Sequence, residues 1–272
     1  GTDEQFIDLF TVTLRHLKSC FPQLKIGGPA LCTSKNDYYN ELLFTRLQKE
    51  KLPLDFFSFH CYAKEPAEIV EVAEYGKKVL QRYGYDTGTE LILNEWNYVK
   101  GWAGDEWTYS LRKCQELKGA SFVAGAMCVS QALDLDMLMY YDARPGTGMN
   151  GIFKNLEPLK SYYDYIIFRD LLHLGTYVPT PYMDDKIYTC CATDGESYGM
   201  MLTYFDPEDD APDRMLELDF EKPAGDYKVE YYLLDESYNR ELVREEYFSS
   251  KDFKVYLKIK NFSVYDIKIT KM

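Results

Sequence analysis

The segment Asn94-Glu95-Trp96-Asn97-Tyr98 sets one carboxylate among two amides, an indole and a phenol, directly after the apolar run Leu91-Ile92-Leu93. A carboxylate can attack an anomeric carbon, amides can bind hydroxyls, and an aromatic ring can face a pyranose, so the set suits sugar chemistry. On spacing alone, a salt-bridged residue at a strand end is an equally good reading of Glu95. A second polar set closes another apolar run, Ser58-Phe59-His60-Cys61-Tyr62. If the two runs are neighbouring parallel strands, His60 and Tyr62 lie beside Glu95 and can orient it and keep it ionised by hydrogen bonding. A core histidine with a backbone partner is the competing reading of His60.

Other chemistries find less support. His16 and His173 fall in helical stretches without a ligand partner four residues on, and no metal site is expected. The seven cysteines contain no CxxC pair, and adjacent Cys190 and Cys191 lack zinc-finger spacing, so reduced, buried thiols are expected. Gly27-Gly28-Pro29-Ala30 has neither the Lys-Ser/Thr of a phosphate loop nor the third glycine of a dinucleotide fingerprint, and no G-x-S-x-G elbow occurs. No cofactor is expected. Asn261-Phe262-Ser263 is a formal glycosylation sequon that does not identify a compartment.

The net charge of −13, from 44 acidic and 31 basic residues, argues against a nucleic-acid partner, which needs a basic surface to neutralise phosphates. No apolar run reaches the length of a membrane helix and no leader pattern opens the chain, which sets the expectation of a cytoplasmic protein with no membrane partner. Gly1-Thr2 leads straight into an amphipathic stretch with Phe6, Phe10, Leu14 and Leu17 at helical spacing. The chain therefore reads as opening inside a fold whose earlier portion is missing.

These side chains need elements to carry them. As far as Gly175, short apolar runs alternate with longer amphipathic ones, the pattern of βα units on a parallel sheet. Leu24 to Ala30, Leu54 to His60, Glu90 to Glu95 and Phe122 to Val129 read as strands. Asp37 to Lys49, Pro66 to Tyr83, Trp107 to Lys118 and Pro158 to Leu174 read as helices. Beyond Thr180, period-two segments such as Tyr227 to Tyr232 and Phe253 to Ile259 point to antiparallel sheet. The acidic stretch Asp206 to Asp213 reads as a solvated turn. Active sites of parallel α/β folds lie at the carboxyl ends of the strands, which is where Glu95, His60 and Tyr62 fall.

The order of these motifs resembles glycoside hydrolase family 39, the β-xylosidase and α-L-iduronidase group, over the second half of such an enzyme. Leu24 to Ala30 with its Gly-Gly-Pro-Ala ending resembles the family's fifth barrel strand, Phe56 to Tyr62 the sixth, and Leu91 to Asn97 the seventh. Asn150-Gly151-Ile152-Phe153 and Leu159 to Tyr163 resemble the passage into the eighth helix. Tyr227-Lys228-Val229 and Asp235 to Asn239 resemble stretches of the family's β-sandwich.

The resemblance implies a fold class of α/β plus β: about four βα units forming the second half of a TIM barrel (residues 1–178), then an antiparallel β-sandwich (179–272). It implies a retaining glycosidase with Glu95 as nucleophile. His60 and Tyr62 would orient it, and Asn94, Trp96 and Asn97 would line the sugar subsite. The family's acid/base comes from an Asn-Glu pair ending the fourth strand; nothing before Leu24 matches it, and Asn40-Glu41 falls in a helix. In place of the eighth strand's usual sugar-holding residues stand Asp134 and Asp136. An open half-barrel leaves free sheet edges, so a homodimer is expected. The alternative is a carbohydrate-binding or degenerate scaffold without turnover.

Overall fold

The computed structural model describes residues 1–146, 148–180 and 186–272. Helix and strand alternate as far as Tyr140: α1 (Asp3–Cys20), β1 (Gly28–Leu31), α2 (Asp37–Glu50), β2 (Phe56–Ala63), α3 (Ala67–Tyr83), β3 (Glu90–Tyr98), α4 (Gly104–Cys114), α5 (Leu117–Ser130) and β4 (Met137–Tyr140). The strands form one sheet in the order β1-β2-β3-β4, with β1–β2 and β3–β4 parallel.

Helix α1 starts at a capping box: the Gln5 amide N–H donates to Thr2 Oγ1 (3.3 Å) and the Thr2 N–H donates to Gln5 Oε1 (3.0 Å). Its buried stripe is Ile7, Thr11 and Leu14, and Phe6 stays 41% exposed, so only Leu14 of the expected Phe6, Phe10, Leu14, Leu17 series is buried. Helix α3 approaches the sheet closely at Gly76, where a Cβ would sit 3.0 Å from the Phe59 ring and 3.1 Å from Leu91. That contact marks the helix-facing side of β2 and β3.

One expected strand is a helix. Phe122 to Val129 lies within α5, of which every residue except Val129 is buried, and the fourth strand of the parallel sheet is Met137–Tyr140. A helix surrounded by protein has no polar face, so it lacks the 3.6-residue period; its continuous apolar run then looks like a buried parallel strand.

The rest of the chain is mainly antiparallel. A short hairpin of β5 (Phe153–Lys154) and β6 (Glu157–Pro158) precedes α6 (Lys160–Leu174), which ends at Gly175 with φ +87°. There follow β7 (Thr176–Val178), β8 (Ile187–Thr193), β9 (Ser197–Tyr204), β10 (Arg214–Glu221), β11 (Tyr227–Leu234), β12 (Asn239–Phe248), β13 (Asp252–Ile259) and β14 (Val264–Lys271). They make a six-stranded sheet, β12-β11-β14-β9-β8-β7, and a two-stranded one, β10-β13. Leu202, Tyr231 and Ile267 of the larger sheet share a core with Leu218, Val255 and Ile259 of the smaller.

Two compact units result, residues 1–62, 68–96 and 133–140 in one, and 63–67, 97–132 and 141–272 in the other. This division does not coincide with the expected cut at 178. Helices α5 and α6 pack on β8 and β9, and Ser121 of α5 lies 2.7 Å, hydroxyl to hydroxyl, from Thr203 of β9. Helices expected to belong to the parallel part are thereby held by the antiparallel part.

The acidic turn is only partly solvated. Asp206 is buried and bonds Lys186, while Asp209 accepts hydrogen bonds from Lys118 Nζ (2.9 Å) and Tyr109 Oη (2.6 Å). Nor are all the thiols buried: Cys20 and Cys32 are exposed. Burial raises the Cys61 and Cys114 thiols to about 12, leaving them protonated and unreactive at neutral pH.

Asp164 of α6 is fully buried, and neither carboxylate oxygen has a hydrogen-bond partner. Burial pushes its carboxyl well above the usual range, so the fold favours the protonated form. Its contribution is intact below the unfolded carboxyl's pKa, about 4, and is lost as pH rises from there toward the raised folded value. Asp164→Asn removes this titration. Thermal melts between pH 4 and pH 8 should show the variant gaining on the parent as pH rises, by about 1–3 kcal/mol; parallel curves would contradict it.

Candidate active site

Strand β2 alternates cleanly. Phe57 and Phe59 face the helices, with the Phe57 ring 5.3 Å from that of Phe44 in α2, so Ser58, His60 and Tyr62 share the opposite face. Ser58 Oγ accepts the Ala30 N–H (3.0 Å), tying β1 to β2 on this side.

By the same alternation Glu95 would join Leu91 and Leu93 on the helix-facing side of β3. It does not, because the register slips: Leu93 pairs with Leu138 but Trp96 with Tyr140, three steps on β3 against two on β4. The extra residue is a bulge, which re-aims the side chains beyond it. Glu95 consequently meets the polar face of β2, where Tyr62 Oη donates to Glu95 Oε2 at 2.7 Å and His60 Nδ1 lies 3.5 Å from the same oxygen. The phenol contact is a full hydrogen bond, whereas the imidazole contact sits at the outer limit. The Glu95 side chain is 32% exposed and that of His60 17%, so the carboxylate is reachable while its neighbours hold it.

Two buried polar atoms on these strands, His60 Nε2 of β2 and Asn94 Oδ1 of β3, have no hydrogen-bond partner among the described residues. Unmatched buried donors and acceptors are costly unless something binds them, and a sugar hydroxyl can do so. Glu95, His60 and Tyr62 are thus brought together, while Asn94 stands beside Glu95 on β3.

The remaining expected site residues are placed differently. Trp96 is 2% exposed, with its ring edge-on to Tyr140 at 5.2 Å, and offers no open face to a pyranose. Asn97 is 1% exposed, and its amide is engaged in structure: Nδ2 donates to the carbonyls of Tyr141 (2.6 Å) and Met149 (2.8 Å), while Oδ1 accepts from Tyr98 N–H (2.7 Å).

Asp134 and Asp136 precede β4 instead of following a strand. Asp136 Oδ2 accepts the Leu91 N–H (2.8 Å) and Asp134 pairs with Lys77 at 3.3 Å, so both stand at the amino ends of the strands. Four residues of extended chain, about 13 Å, separate that level from Glu95. The residue that does end β4 is Tyr140, half-buried against Trp96. Its sequence signal is the run Met137-Leu138-Met139-Tyr140-Tyr141, shorter and less apolar than Phe122 to Val129.

Among the described residues no group of three or more His, Cys, Asp or Glu side chains is placed to hold a metal ion, and no helix is long and apolar enough to cross a membrane.

Residues 1–78 match the model of glycosyl hydrolases family 39, which bears out the resemblance over that stretch. A β-xylosidase of Geobacillus stearothermophilus is 32% identical over 62 residues, 23% of this chain and 12% of the xylosidase. Among solved structures, a glucosidase from Croceicoccus marinus superposes with a TM-score of 0.79 at 18% identity, covering 100% of this chain and 65% of that one. The GH39 enzyme of Xanthomonas axonopodis pv. citri gives 0.74 at 14% identity, covering 98% and 64%. At those identities the likeness concerns the fold, and this chain spans under two thirds of each relative.

Proposed function

We propose, from the premise that this chain carries the family 39 glycosyl hydrolase pattern over residues 1–78, that it is the nucleophile-bearing part of a retaining glycosidase acting on β-xylosides or related sugars. The observation that carries the reading is the Tyr62–Glu95 hydrogen bond of 2.7 Å at neighbouring strand ends. It holds a reachable carboxylate as the acceptor, free to attack along its other oxygen. Glu95 forms a bond to the anomeric carbon as the bond to the leaving oxygen breaks, and that oxygen takes a proton from a general acid. Water then cleaves the glycosyl ester.

The architecture in this reading is a half-barrel of four βα units followed by a β-sandwich, with the general acid outside the residues that surround Glu95. Retention requires a second carboxyl about 5–5.5 Å away, beyond the hydrogen-bonding distance at which Tyr62 and His60 meet Glu95 among the described residues. The second reading is a sugar-binding scaffold without turnover, which needs no such acid. Pairing of two copies belongs to the proposal as well, supported by the exposed α1 stripe Phe6, Leu9 and Val12.

Intact-mass measurement after incubation with 2,4-dinitrophenyl 2-deoxy-2-fluoro-β-xyloside tests the reading, since the activated leaving group reduces the need for an acid. One sugar mapped to Glu95 is the expected result. An unlabelled protein would favour the scaffold, and a native-mode spectrum showing only monomer would remove the pairing.

A further inference from the structure

We propose that the exposed face of Trp102, backed by the stacked ring of Trp107, is an aromatic platform that binds a β-linked oligosaccharide by stacking. The two indoles stack, with centroids 5.3 Å apart and planes 20° from parallel, and Trp102 is 61% exposed. They are two of the chain's three tryptophans, and Trp102 comes seven residues after Glu95 in the sequence. A large aromatic ring held in water is informative in a way that an isolated exposed leucine is not.

The loop that presents Trp102 is pinned to α4. Lys100 N–H donates to Ser110 Oγ (2.9 Å), whose hydroxyl donates to the Glu106 carbonyl (2.7 Å), and Ser110 is fully buried. At Gly101 a Cβ would fall 2.2 Å from Glu106 Oε2, so the carboxylate lies directly against the backbone there. Trp107 N–H donates to the Ala103 carbonyl (3.3 Å), and the Lys100 ammonium sits 5.1 Å from the Tyr109 ring centre. A platform built this way loses little conformational freedom on binding.

The ligand chemistry follows from the surface. An indole face is electron-rich and flat, matched by the polarised C–H face of a pyranose. The first turn of α4, between the two tryptophans in sequence, carries the exposed acids Asp105 and Glu106, whose carboxylates can accept hydrogen bonds from hydroxyls and disfavour an anionic partner, a penalty a neutral sugar chain does not meet.

The choice of carbohydrate rests on the glycosidase reading, so the test measures binding without turnover. The full chain carrying Glu95→Gln is titrated with xylotetraose while tryptophan emission is followed, and is run in affinity gels containing soluble xylan. Saturable quenching and retardation are expected. Trp102→Ala in the same background should weaken binding about tenfold or more, the scale of one aromatic contact with its buried area. Trp102→Tyr should keep most of it, with unchanged melting temperatures excluding a folding defect. Unaltered affinity in Trp102→Ala would overturn the platform, as would emission changes that track protein concentration and report contact between copies. Binding lost with Trp102 but no label on Glu95 would retain the platform and remove the hydrolase; a label on Glu95 without platform binding would do the reverse.

Discussion

Glu95→Ala should lose on the order of 10⁴-fold or more in turnover of an activated aryl xyloside, because a nucleophile acts with its surroundings as one unit. Added azide should restore part of the rate by occupying the space the carboxylate leaves. Azide then forms the C–N bond as the phenolate departs, on the face Glu95 attacked from, and the product is the glycosyl azide of inverted configuration. Kinetics with and without azide, with the product anomer read by NMR, check this. Loss of activity is also what a misfolded variant would show, so the configuration of the azide product is the decisive observation. If Glu95 were instead an acid/base, azide would give the retained anomer. The side chain is half-buried on a strand end, and its polar partners among the described residues are Tyr62 and His60, so its truncation should leave the fold intact.

The second large effect concerns stability. Arg240 of β12 bridges two acids, donating from Nε (2.9 Å) and Nη2 (2.7 Å) to Asp266 Oδ2 of β14 and from Nη2 to Asp170 of α6. Lys268 also reaches Asp170, at 3.0 Å. Asp266 is 1% exposed, and burial raises its carboxyl despite the neighbouring Arg240 and Lys268. Asp170 is far more accessible, and its cationic partners outweigh its partial burial and hold it well below the normal range.

Arg240→Met would leave Asp266 buried with Lys268 at 3.9 Å as its closest remaining cation. Removing one partner of a buried ion pair typically costs about 3–5 kcal/mol, which for a chain of this size lowers the melting temperature by roughly 6–20 °C. Denaturant and thermal unfolding measure it. The double variant Arg240→Met with Asp266→Asn should recover much of the loss, because the penalty lies mainly in the unpaired charge. A double variant no more stable than the single one would locate the effect in packing against Tyr232, whose ring lies 5.8 Å from the guanidinium.

What could be read from the sequence depended on the range of the physics involved. The parallel αβ pattern and the antiparallel continuation were visible in local periodicity, since β2, β3, β11 and β13 each present a repeat of two or a short apolar run between turns. Gly175 closed α6 where expected because the helix end needs a positive φ. Helix α5 was misread because burial on every side erases the period that distinguishes helix from strand. That single misassignment also misplaced Asp134 and Asp136, whose significance depended on which end of a strand they stand at.

The site divides along the same line. That Glu95, His60 and Tyr62 close neighbouring strands was legible in the sequence itself, as polar residues ending apolar runs that a parallel sheet brings side by side. Only the tertiary structure decided that Glu95 faces them, because the bulge between Leu93 and Trp96 is a property of pairing with β4 and leaves no mark in the β3 sequence. Only the tertiary structure, likewise, gave Trp96 and Asn97 their buried places, since Tyr140, Tyr141 and Met149 approach them from more than forty residues away. Residue type and alternation are local quantities that a chain carries in any conformation; burial and register are relations between distant segments, and exist only once those segments have packed.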